Sequence, residues 1–159
     1  MSYVSSAATP TAGPPADSTA CVFCAALAAG DDRRALILHR GAGAFLILNA
    51  FPYASGHLMS VVTRHVGDLE AASPEELAES MRLVQSAVRA LRVAYTPDGF
   101  NVGLNQGRVA GAGIVGHLHV HVVPRWNGDA NFMPVIADTR VLPQALDTTY
   151  GRLKAALTS

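Results

Sequence analysis

Polar and apolar positions alternate most sharply at residues 117–122, where His117, His119 and His121 are interleaved with Leu118, Val120 and Val122. In an extended chain successive side chains point to opposite faces, so the pattern predicts a strand with three imidazoles in one row and an aliphatic core row behind them. A helix would spread the same rings over a wide arc, and the valines favour extended backbone. Phe100 to Asn105 alternates in the same way, with Phe100, Val102 and Leu104 on one face and Asn101, Gly103 and Asn105 on the other. Apolar density over Ala35 to Leu38 and Ala44 to Asn49 predicts a hairpin around the Gly41-Ala42-Gly43 turn, and His57 to Val62 a third strand.

A different period marks the helices. Ser73 can cap, Pro74 suits the first helical position and Glu76 completes a capping box, so a helix starts there. Leu77, Met81, Val84, Val88, Leu91 and Tyr95 then step by four, three, four, three and four, one stripe at helical period, until Thr96-Pro97-Asp98-Gly99 stops it. A final helix is predicted over Pro143 to Leu157, with Ala145, Leu146, Tyr150, Leu153 and Leu157 near one face. A short helical piece follows Cys21-Val22-Phe23-Cys24 as far as Ala29, ended by Gly30-Asp31-Asp32, and a short apolar run to Ile136 follows the Asn127-Gly128-Asp129 turn. Residues 1–20 are rich in Ser, Thr, Ala, Pro and Gly without an apolar face, and are read as a disordered leader. The order of elements predicts an α+β fold with an antiparallel sheet, and one domain over residues 21–159.

Composition narrows the chemistry. The chain has 159 residues, enough for one domain that buries about two thirds of its unfolded surface without disulfides. Its 12 basic and 12 acidic residues cancel, so bulk charge gives no footprint for nucleic acid or an anionic membrane, and any phosphate ligand is held locally. No apolar run is long enough for a membrane span and the start lacks a secretion signal, so a cytoplasmic protein is expected. Two cysteines three apart in that setting point to reduced thiols or a metal site rather than cystine; a zinc half-site is favoured over a redox pair.

Three imidazoles on one strand face have two chemical readings. They can ligate zinc, with a further position left open for catalysis. Alternatively a neutral imidazole attacks phosphorus while the protein supplies donors to the equatorial oxygens, and mutual repulsion among the rings keeps at least one neutral near pH 7. The glycine-rich stretch from Asn105 through Gly107 and Gly111 to Gly113, directly before the strand, can form an anion-binding concavity from backbone N–H groups. It is neither a Walker loop nor a dinucleotide fingerprint, because no Gly-Lys-Ser/Thr is present and a strand follows.

His117-Leu-His119-Val-His121-Val-Val, with Phe100 to Asn105 and Gly56-His57-Leu-Met-Ser-Val-Val62, resembles the histidine triad (HIT) superfamily of nucleotide hydrolases and transferases. The continuation from Pro124-Arg125-Trp126 to Asp129 and Pro134 is similar to the bacterial branch related to diadenosine tetraphosphate phosphorylases and hydrolases. The resemblance implies a five-stranded antiparallel sheet with two main helices, and a homodimer that joins the sheets into one of ten strands. It implies that His119 is the nucleophile toward the α-phosphorus of a purine nucleoside phosphoester, phosphoanhydride or phosphoramidate, forming a nucleotidyl-histidine that water or phosphate releases. His121 then contacts the phosphate and helps protonate the leaving group, and His57 faces the same site. Asn49 matches the ribose-binding asparagine, Ile47 and Met59 line the base pocket, and Asn105 with Gly107, Gly111 and Gly113 hold the phosphates. Zinc-bearing relatives also imply a closed structural zinc site of Cys21, Cys24, His65 and His117.

The chain departs from relatives that carry Gln, Ser or Thr in the loop before the triad: it has Ala112-Gly113-Ile114 and offers only backbone donors there. Hydrolysis is therefore expected over phosphorolysis. A noncatalytic nucleotide-binding module of the same fold is the alternative.

Overall fold

The computed structural model describes residues 21–129 and 144–158. The leader, the apolar run to Ile136 and the helix start at Pro143 lie outside the described residues. Five strands, β1 (Ile37–Arg40), β2 (Ala44–Leu48), β3 (Leu58–Val62), β4 (Gly99–Gly103) and β5 (His119–Arg125), form one antiparallel sheet in the order β1-β2-β3-β5-β4. Three α-helices accompany it among the described residues: the short α1 (Val22–Ala28), the long α2 (Pro74–Tyr95) and α3 (Leu146–Thr158). This is the expected α+β fold, with its two main helices on one face.

Period two sorts the sheet into two chemistries. Leu46, Leu48, Leu58 and Val122 face α2 and α3, where they meet Leu83, Val84, Ala87, Leu91, Tyr150 and Leu153 in the main core. Each fully buried aliphatic side chain there contributes about 1.5–3 kcal/mol. On the opposite face, Ile37, Phe45, Ile47, Met59 and Val61 pack beneath Cys21 and Phe23 from the start of α1. Cross-strand register carries that face into the histidines: Ile47 pairs with Met59 and Met59 with His121, while Phe45 pairs with Val61 and Val61 with His119.

Three expected positions are corrected. The first strand begins at Ile37 rather than Ala35, because Ala35, Leu36 and Ile37 donate backbone N–H groups to Asp31, Arg33 and Asp32 in a turn, and Leu36 takes a left-handed φ of 63°. Met81 is 49% exposed; the buried face of α2 runs through Ser80, Leu83, Val84, Ala87, Ala90 and Leu91. Small residues bring that helix close to the sheet, and a stripe drawn through large apolar residues misses them. His117 stands just before the ladder, which opens at His119. The capping box at Ser73 is formed as expected, with Ser73 Oγ accepting from the Glu76 N–H and Glu76 Oε2 accepting from the Ser73 N–H.

Candidate active site and metal centre

Two chain segments far apart in sequence meet the beginning of the histidine strand. Cys21 caps α1 and Cys24 lies within its first turn, His65 follows β3, and His117 precedes β5. Their ligand atoms all fall within 4.8 Å of one another. The His117 Nδ1 is 3.2 Å from Cys21 Sγ and 3.7 Å from Cys24 Sγ, and His65 Nδ1 is 3.4 Å from Cys24 Sγ. A tetrahedral zinc site, with bonds of about 2.0–2.3 Å, needs donors separated by about 3.5 Å. The spacing fits.

The second coordination layer fits as well. His117 Nε2 lies 2.6 Å from the Val62 carbonyl oxygen and donates to it, which leaves Nδ1 unprotonated and facing the sulfurs. Burial, then the adjoining Cys21, pushes the Cys24 thiol up. Closely placed sulfurs resist ionisation in this way until a cation stands between them. Cys21, Cys24, His65 and His117 can therefore hold a metal ion, and four protein ligands leave no open position on it.

The other two triad histidines point to different work. His119 is 5% exposed, and its Nδ1 donates to the His117 carbonyl oxygen at 2.7 Å. Its lone pair consequently resides on Nε2. Burial pushes its pKa down, against the pull of that backbone bond, and so favours the neutral ring. His121 is next along the same row, its ring 5.0 Å from that of His119. Burial, then the charge of His119, lowers its pKa too.

His57 completes the group from the loop entering β3. The Tyr53 N–H donates to His57 Nδ1 at 3.1 Å, so the ring proton is on Nε2, which donates to His121 Nδ1 at 3.0 Å. His121 in turn carries its proton on Nε2. Burial, then His121, lowers the His57 pKa to about 4, so the relay stays neutral near pH 7. The result is one ring with a free lone pair beside one with a free N–H.

The expected nucleotide residues are distributed around these rings. Ile47 and Met59 share the face and the row of His121. Asn49 Nδ2 lies 3.4 Å from the His57 ring nitrogens, and its Oδ1 accepts from the Phe51 N–H. Asn105 lines a cleft of about 890 Å³ with His121, Tyr53, Asn101, Arg125 and Trp126. Its Nδ2 donates to the Gly111 carbonyl oxygen. Gly107 and Gly111, with φ of 83° and 87°, bracket the 3-10 turn Arg108–Ala110. Gly107, Gly111 and Gly113 belong to the loop before the triad and do not line the cleft.

Two residues at the site were not singled out by sequence. Phe23 packs its ring 5.2 Å from that of His119, and Tyr53 packs 4.6 Å from His57. The only signals were an aromatic between two cysteines and an aromatic after Pro52 in a polar loop.

Comparison with known proteins follows the same residues. The HIT domain family profile matches residues 33–128. The AP-4-A phosphorylase of Mycobacterium tuberculosis strain H37Rv is 48% identical over 118 residues, which are 74% of this chain and 60% of the relative. The chain thus spans three fifths of that relative's length. An uncharacterized HIT-like protein of the same strain is 35% identical over 109 residues, 69% of this chain and 74% of the relative. Among solved structures, a zinc-bound histidine triad family protein from Mycobacterium smegmatis superposes with a TM-score of 0.73 at 30% identity, covering 89% of this chain and 95% of that chain. A profile match over more than half of the residues, including the segment from His117 to His121 that bears the three imidazoles, makes the chain a member of the HIT domain family.

Proposed function

We propose that the protein is a nucleotidyl hydrolase or transferase that works through a covalent nucleotidyl-histidine. The carrying observation is the pair of complementary tautomers: His119 with its lone pair on Nε2, and His121 with its proton on Nε2. His119 Nε2 attacks the α-phosphorus, forming a P–N bond as the P–O bond to the leaving group breaks. The His121 Nε2–H donates a hydrogen bond to the departing oxygen, which leaves as an anion with its charge met by that bond. Water then attacks phosphorus, the P–N bond breaks to return its electron pair to His119 Nε2, and the proton lost by the water goes to the departed oxyanion or to solvent as the nucleotide is released. His57 holds His121 in the tautomer that this hydrogen bond needs.

The substrate we favour is a purine nucleoside phosphoanhydride of the diadenosine polyphosphate kind, or a phosphoramidate, releasing AMP. The name of the Mycobacterium tuberculosis relative supports the former. Ile47 and Met59 take the base, Asn49 the ribose, and Asn105 with the Gly107, Gly111 and Gly113 backbone the phosphates. Ala112-Gly113-Ile114 supplies no side-chain donor to a second phosphate, which favours water over phosphate as acceptor. Cys21, Cys24, His65 and His117 bind a structural zinc, a role the zinc-bound relative supports. Reduced sulfurs of that kind suit the cytoplasm. No helix among the described residues is long and apolar enough to cross a membrane. A second copy pairs along the edge strand β4, where Val102 is 44% exposed, to make the ten-stranded dimer.

Incubation with radiolabelled dinucleoside polyphosphate or adenosine phosphoramidate tests this. An AMP adduct is expected on the wild type and absent from His119→Ala, together with turnover; undiminished turnover in His119→Ala sinks the reading. The same loop sequence favours, as second reading, a noncatalytic nucleotide-binding module. Micromolar AMP affinity with no adduct across the substrate panel selects it.

A further inference from the structure

Cys21-Val22-Phe23-Cys24 does more than present two sulfurs. Val22 is 59% exposed whereas Phe23 is 3% exposed, so the turn that carries the sulfurs aims one aromatic ring inward. That ring lies 5.3 Å from His117 at an interplanar angle of 78°, and 5.2 Å from His119 at 54°. Behind it stands Phe45, edge-on at 6.5 Å. Phe23 is thus a wall against the ring of His119.

We propose that Phe23 is a positioning residue for His119, and that the metal centre is the device that holds Phe23 in place. The proposal deepens the functional reading above and rests on it. An imidazole can swing about its second torsion, a broad two-fold rotor. Two contacts stop His119 from doing so: the 2.7 Å bond from its Nδ1 to the His117 carbonyl oxygen, and the Phe23 ring packed against it. Both contacts originate in the metal-binding set. The carbonyl belongs to one ligand, His117, and the ring is flanked by two others, Cys21 and Cys24.

The element bearing Phe23 has little else to hold its first turn. Helix α1 has seven residues, well below the length at which an isolated helix is stable, and its N-cap makes no side-chain bond. Its far end is held by Ala26 and Leu27 against the sheet and by Arg40 Nη1 donating to the Leu27 carbonyl oxygen, which leaves the sulfurs and Phe23 to hold the first turn. Binding a metal at Cys21 and Cys24 fastens the turn to His65 and His117, and with it the wall behind the nucleophile. Attack demands a lone pair aligned on phosphorus, and a misplacement of about 1 Å at a reacting group can lower rate about a hundred-fold. Ile47 and Met59 share the packed cluster of Phe23, so AMP affinity is the separate readout: a positioning role lowers the adduct rate by far more than it lowers affinity.

The test compares zinc-loaded wild type, zinc-loaded Phe23→Ala and Phe23→Leu, and wild type stripped by a chelator. Zinc content, AMP affinity by calorimetry, adduct formation in a single turnover and the imidazole N–H resonances of His119 and His57 are followed together. Phe23→Ala is expected to keep its zinc and bind AMP within about two-fold of wild type while forming the adduct at least about ten-fold more slowly. Phe23→Leu falls between, and serves alone if the alanine variant does not fold. Chelated wild type is expected to lose adduct rate in the same way, with the His119 N–H exchanging away and the His57 N–H retained. An unchanged adduct rate and an unchanged His119 resonance in zinc-loaded Phe23→Ala overturn the proposal, as does a rate loss matched by lost AMP affinity. Absence of any adduct on wild type overturns the functional reading instead, and the His119 resonance then decides the positioning claim by itself.

Discussion

His57 Nε2 lies 3.0 Å from His121 Nδ1, and the proton between them is assigned by a third group, the backbone N–H of Tyr53 on His57 Nδ1. A backbone donor cannot change its role, so both rings are held in one tautomer while neutral. Protonation of His57 puts an N–H on Nδ1 against the Tyr53 N–H and forfeits that hydrogen bond.

This arrangement makes stability depend on pH in a stated direction. The His57 pKa falls from 6.5 to about 4, chiefly through burial. The unfolded chain therefore takes up a proton before the folded one does as pH falls. The stabilising effect is complete above pH 6.5 and is lost progressively as pH drops toward 4, with a size on the order of 3 kcal/mol at most. Urea midpoints measured across this window are expected to decline with falling pH in wild type, and to decline less in His57→Gln, whose amide can still donate to His121 but does not titrate. Parallel curves for the two proteins count against the assignment.

Metal removal gives a second prediction. A ligand bound only by the folded state stabilises it by about 4 kcal/mol when free at a thousand times its Kd. Chelation is accordingly expected to lower the melting temperature of wild type by several degrees and to leave a Cys21→Ser, Cys24→Ser double variant unaffected. Metal analysis of that variant also separates two ligand sets. Stoichiometric zinc retained without the sulfurs points to the three triad histidines as ligands; loss agrees with the mixed set of Cys21, Cys24, His65 and His117.

How much of this was legible in the sequence depended on how local the cause was. The Ser73 cap, the stop at Thr96 and the strands at Ala44 and Leu58 arise from residues within a few positions of one another, and each formed where expected. Period two correctly put His119 and His121 on one face. It could not show that His57 would reach across 64 residues to His121, or that a backbone carbonyl would choose the lone-pair atom of His119. The buried face of α2 was misjudged at Met81 because its depth is set by Ser80, Ala87 and Ala90, and small size carries no signal in a count of large apolar residues. Ser80 is buried at no loss because its Oγ and its carbonyl oxygen both meet Ser60 Oγ.

A third prediction concerns Gly67, which lies between His65 and the stretch entering His117. A Cβ there stands 2.7 Å from the Val115 carbonyl oxygen and 3.1 Å from Gly116 Cα, backbone atoms that cannot turn aside. Gly67→Ala is expected to destabilise by about 1–3 kcal/mol, as overpacking does. It should also weaken zinc binding by spreading His65 from His117. Gly103→Ala, whose Cβ meets nothing within 4 Å, is the control and should leave zinc affinity alone. Equal zinc affinity in the two variants contradicts the account.

The β1–β2 turn supplies the fourth. Glu79, on α2, accepts from the Ala42 N–H at 2.9 Å and from the Gly43 N–H at 2.7 Å, so its carboxylate fastens the hairpin to the helix. Charge-assisted bonds of this kind contribute about 1.5–3 kcal/mol each before losses to solvent, and Glu79→Ala is expected to destabilise by about 2 kcal/mol. Gly41 lets that carboxylate approach: a Cβ at Gly41 overlaps Glu79 Oε1 and stands 2.8 Å from the Ala44 carbonyl oxygen. Removing Glu79 first takes away the side-chain part of that overlap and leaves only the Ala44 part. Gly41→Ala should therefore destabilise the Glu79→Ala protein less than it does wild type, by a coupling of about 0.5–3 kcal/mol in a double-mutant cycle read from urea unfolding. Additivity of the two changes to within about 0.3 kcal/mol would mean that the turn and the helix are fastened by something other than Glu79.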